Sequence, residues 1–92
     1  MLVAQMKTAI ARYILSLRAA ASETHRAEDR PLYERHLADA ALLLALIEAG
    51  APVISIHEAI QRHEHLWGNA WLVDEAYKVP SSAWQPVKQC TF

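Results

Sequence analysis

From Val3 to Thr24 one seam of the chain reads Val3, Met6, Ile10, Tyr13, Leu17, Ala20, Thr24, with steps that alternate between three and four. That spacing puts every member on one face of an α-helix and scatters them over both faces of a strand. Ile14 widens the stripe, and no glycine or proline interrupts it. The same rhythm returns twice further on. A chain carrying three such stretches is constrained to bury its apolar surface between helices.

The second stretch runs from Pro31 to Ala49. Polar residues 22–30 form the connection before it, Asp29 or Arg30 caps it, and Pro31 sits in the first turn, where a missing N–H costs nothing. Gly50 supplies the stop. The seam reads Tyr33, Leu37, Ala40, Leu44, Ile47. Leu42, Leu43 and Leu46 are apolar as well, and between Leu37 and Ile47 only Asp39 is polar. Such a helix is covered on more than one side.

After the short connection at residues 50–54, Ser55 and Glu58 have the spacing of a capping box at the head of a third helix. Its apolar series is Ile56, Ala59, Ile60, His63, Leu66, Trp67, Ala70, Trp71, Val73, Tyr77, and it predicts a helix to about Lys78. A break at Gly68-Asn69 would make a short fourth helix. Residues 79–92 hold Pro80 and Pro86 and read as an extended tail that carries Trp84. The expected fold is therefore all-α: a small bundle of three helices, or four, running up-down-up. Residues 1–78 form the bundle domain and residues 79–92 the tail.

Composition agrees. Seventeen alanines against two glycines favour helix over a turn-rich β architecture, and 92 residues leave room for one domain. Nine basic and ten acidic side chains give a net charge of −1, the wrong balance for a surface that meets phosphates. Cys90 is the single cysteine, so neither an internal disulfide nor a cysteine-based zinc site is open to the chain. Lys7, Arg12 and Arg18 break up the apolar run a secretory signal needs. No membrane span is expected, and the lone thiol suits a cytoplasmic location.

Five histidines raise the question of a metal. His57, His63 and His65 are six and two residues apart, so they do not share a helix face. His25–Asp29 and His36–Asp39 are single pairs without an evident third ligand. The expectation is no metal, no cofactor and no catalytic residue, since there is no phosphate-binding glycine loop or nucleophile motif either. His63 stands apart because it falls on the apolar stripe. It is expected to be buried with a partner from the first or second helix, or to act as a pH-sensitive element.

The aromatic residues point to binding. Trp71, Tyr77 and Trp84 are candidates for docking the tail or a partner, since tryptophan is enriched at the centres of interfaces. Leu42, Leu43 and Leu46 are the candidates for self-association, because the seam of the second helix leaves them on its other side. The expected function is a small non-enzymatic protein–protein interaction module, an accessory, regulatory or inhibitor protein of bacterial or phage type. Its partners are a second copy of itself and another protein. One alternative is a DNA-binding regulator built on a helix-turn-helix-like unit at about residues 37–66. Its reading face would hold Arg62 against Glu58 and Glu64, which argues against it. The other alternative is a bundle that binds a small ligand or a metal.

Overall fold

The computed structural model describes residues 2–23, 27–67 and 81–89. These residues are 94% helical, with no strand among them. Helix α1 is Leu2–Glu23; a short 3-10 turn, Ala27–Asp29, leads into α2, Arg30–Glu48; α3 is Val53–Trp67; and α4 is Ser81–Gln89. Helix α1 packs against α2 and α4, and α3 packs against the same two. The result is a four-membered ring of helices around one core.

The seam of α1 packs as its spacing implies from Met6 to Leu17, while Val3 at its start is exposed. Met6, Ile10, Tyr13 and Leu17 are fully buried, with Ala9 and Ile14 beside them. In α2 the inward face is rotated from the expected one. Its buried residues are Tyr33, His36, Ala40, Leu43 and Ile47, while Leu37 and Leu44 are only partly buried at the margin of the core. Both series have helical spacing and share Tyr33, Ala40 and Ile47. The bundle places a histidine where hydropathy alone would place a leucine.

Helix α2 ends in a full Schellman motif. The Ala51 N–H donates to the Leu46 carbonyl and the Gly50 N–H to the Ile47 carbonyl. Gly50 adopts a φ of 74°, a left-handed conformation that glycine enters without the steric penalty of a Cβ. The next turn begins at once. The Pro52 carbonyl accepts from the N–H groups of Ser55 and Ile56, so α3 starts at Val53 and Ser55 lies inside its first turn. The expected capping box is therefore absent. It needs a free Ser55 N–H for Glu58, and that donor already serves Pro52. We expect Ser55→Ala to change stability by less than about 0.5 kcal/mol, the range of a surface change that removes no cap. A loss near 1 kcal/mol in chemical denaturation would restore the capping role.

The C-terminal segment departs furthest from expectation. Ser81–Gln89 is helical, with Pro86 inside it, where an extended tail was expected. Trp84 and Val87 lie three residues apart on one face of α4, and both are completely buried in the same core as α1–α3. Proline removes one bond from a short helix, and the burial of a tryptophan and a valine outweighs that loss. The expected continuation of α3 beyond Trp67, including Trp71 and Tyr77, lies outside the described residues. No helix among the described residues is long and apolar enough to cross a membrane.

Candidate functional site

One ring from each helix meets at the centre of the bundle. Tyr13 comes from α1, His36 from α2, His63 from α3 and Trp84 from α4, and none is more than 3% exposed. Trp67, at the end of α3, closes one side. Its indole lies flat on the His36 imidazole, with centroids 4.2 Å apart and planes 4° from parallel. Trp84 tilts against the other side, 4.8 Å from the Tyr13 ring and 4.7 Å from the His63 ring. Both indole N–H groups are satisfied by carboxylates. Trp67 donates to Asp39 at 2.8 Å, and Trp84 donates to Glu64, whose other oxygen lies 3.3 Å from the Lys88 ammonium.

Three polar atoms converge inside this aromatic enclosure. The Tyr13 hydroxyl is hydrogen-bonded to Nε2 of His36 and lies 3.0 Å from Nε2 of His63. The two Nε2 atoms are 3.2 Å apart. Burial strongly disfavours the imidazolium form. It lowers His36 to about 3, with His63 adding to the effect, and lowers His63 to about 4 even though Asp39 and Glu64 pull it upward. Both rings are therefore neutral near pH 7. A neutral imidazole has one N–H, on either of its two nitrogens, so the tautomers decide how many protons lie among these three atoms. With both Nε2 atoms protonated, two N–H groups would face each other; with neither, two lone pairs would. The favourable state has unlike tautomers, with Tyr13 donating to one ring and the other ring's N–H shared between the phenol oxygen and the first ring.

The expectation for His63 thus meets its partners in Tyr13 and His36. The sequence by itself marks His36 only as half of an isolated His–Asp pair and Tyr13 only as one residue of the α1 seam. The available signal was the α2 stripe Tyr33, His36, Ala40, Leu43, Ile47. It carries a histidine on an apolar face, as the α3 stripe does. Among the described residues no group of three or more His, Cys, Asp or Glu is placed to hold a metal ion. The convergent set here is two histidines and a tyrosine.

A groove of about 470 Å³ runs between α2 and α3 and reaches His63. Leu42, Leu46 and Ala59 line it, with Leu43 at its floor and Leu66 on the far wall. Of the three leucines expected at the surface, Leu42 is 63% exposed and Leu46 half-buried, but Leu43 is only 2% exposed. Leu43 belongs to the protein's own core, because the rotation that carries His36 inward carries Leu43 with it. Leu66, which the apolar series of α3 placed inward, is 59% exposed. Trp84 is fully buried, so it docks α4 onto the bundle. No family model, curated protein or solved structure matches this chain.

Proposed function

We propose that this protein is a small non-enzymatic interaction module that docks through the groove between α2 and α3, first of all onto a second copy of itself. The observation that carries this reading is the exposure of Leu42 and Leu66 on opposite walls of one apolar groove. Each exposed leucine forgoes roughly 1.5–3 kcal/mol of burial. Contiguous apolar surface of this kind marks interaction sites on soluble proteins. The groove also carries one charge of each sign, Asp39 on α2 and Arg62 on α3. A two-fold axis across it can bring Arg62 of one copy near Asp39 of the other while the leucines meet between them. Small bundles without disulfides commonly supplement their cores in this way.

Light scattering on a gel-filtration peak tests this directly. The wild-type protein should have about twice the 10.3 kDa mass of one chain. Leu42→Glu together with Leu66→Glu should return it to monomer with its helical spectrum intact, because neither side chain is needed for the core. A wild-type mass near 10.3 kDa at micromolar concentration sinks the self-association reading.

A further inference from the structure

We propose that the enclosed cluster at the centre of the bundle is a divalent transition-metal site, with Nε2 of His36, Nε2 of His63 and Oη of Tyr13 as its three protein ligands and zinc as the metal it fits best. The spacing of the donor atoms is the first argument. Two ligand atoms bound to one zinc ion at about 2.0–2.1 Å, at a roughly tetrahedral angle, lie about 3.3 Å from each other. The two imidazole nitrogens are 3.2 Å apart, and the phenol oxygen is 3.0 Å from one of them. The phenol oxygen and Nε2 of His36 lie closer together than two ligands of one ion, so that hydrogen bond must open before an ion beside the triangle reaches all three.

Proton accounting is the second argument. In the favourable tautomers two protons serve the three contacts among Oη and the two Nε2 atoms, so one proton is shared between two edges. A cation removes that deficit, because each donor then directs a lone pair at the metal. Tyr13 releases its phenolic proton to solvent as the oxygen–metal bond forms, and any Nε2 proton moves to Nδ1 of the same ring. The imidazoles need no further change, since a neutral ring is the ligand form.

The surroundings fit the charge. A divalent ion with one phenolate leaves one net positive charge at the site. Asp39 and Glu64, the carboxylates acting on His63, supply opposite charge nearby. They are held by Trp67 and Trp84, the indoles that also fix the histidine rings, so the outer shell and the ligands are positioned by the same packing. His63 also borders the groove between α2 and α3. Two imidazoles and a phenolate form a nitrogen–oxygen set suited to zinc and also to cobalt, which makes cobalt a spectroscopic probe.

The test uses the full chain, stripped with chelator and dialysed against Zn²⁺ or Co²⁺. We expect one metal ion per chain, a raised melting temperature, and a visible cobalt spectrum of four-coordinate intensity. In wild-type protein, zinc should shift the Nε2 resonances of His36 and His63. Tyr13→Phe retains the buried ring and removes only the oxygen; it should weaken zinc binding by more than roughly tenfold and change the cobalt spectrum. His63→Gln should lose the metal. The proposal is overturned if folded wild-type protein retains no metal, or if zinc moves only the resonances of other histidines. It is equally overturned if Tyr13→Phe binds with wild-type affinity and spectrum, because Tyr13 is then not a ligand.

Discussion

Acidifying the metal-free protein, with chelator present, should unfold it between about pH 5 and pH 4. His36 and His63 have folded-state values of about 3 and about 4 against 6.5 for the ordinary side chain. Between those limits the unfolded chain binds protons that the folded chain does not. The stabilisation from keeping both rings neutral is complete above pH 6.5 and is lost as the pH falls below it. Each histidine then costs about 1.4 kcal/mol per pH unit, so the pair costs about 2.7 kcal/mol per unit. Two units below 6.5, the loss is about 5 kcal/mol, comparable with the roughly 5–14 kcal/mol expected for a chain of this size. Asp39 and Glu64 favour the protonated His63, and Lys88, paired with Glu64, opposes it. Guanidinium denaturation between pH 7 and pH 5 isolates the effect, because most carboxylates stay ionised there. A midpoint that does not move across that interval would falsify the linkage.

Trp84→Ala should be the most damaging single substitution, removing about 3–5 kcal/mol. The side chain is fully buried, and its ring touches both Tyr13 and His63. Truncation opens a cavity beside two polar groups and takes away the indole that donates to Glu64. It also releases α4, whose Val87 is fully buried as well. Trp84→Phe keeps most of the apolar surface and should cost about half as much or less, so the difference between the two variants separates packing from the hydrogen bond. Urea denaturation gives both numbers. A loss below about 1 kcal/mol for the alanine variant would mean that α4 does not close the bundle.

How far the fold could be read from the sequence differs from helix to helix, and each difference has a cause. Helix α1 follows its seam because its strongest apolar residues lie on one side. Helix α2 is apolar almost all round, so hydropathy offered two inward faces differing by a small rotation. Contacts with Tyr13 and His63 selected the one containing His36. A histidine is a poor candidate for a core position when it is considered alone. It becomes a good one when a second histidine and a phenol share its environment, and that requires residues 23 and 50 positions apart to meet. The start of α3 shifted for a local reason: Pro52 already accepts from Ser55, although Val53 and Ile54 remain at the surface. Helix α4 was hidden behind Pro86, because the burial that stabilises it comes from the other three helices and leaves no long periodic signature in nine residues.

The arrangement of one ring per helix also bears on how the chain folds. A hairpin of α1 and α2 buries Tyr13 against His36 but leaves open the sides that His63, Trp67 and Trp84 cover. Adding α3 brings the second imidazole and the flat indole, yet the face covered by Trp84 still admits water. Partly assembled states therefore expose buried polar groups to an incomplete enclosure and gain little from them. Only the final docking of α4 seals all of them together. The consequence is cooperativity: the centre penalises every intermediate, so the four helices should form and melt as one two-state unit despite the brevity of the last.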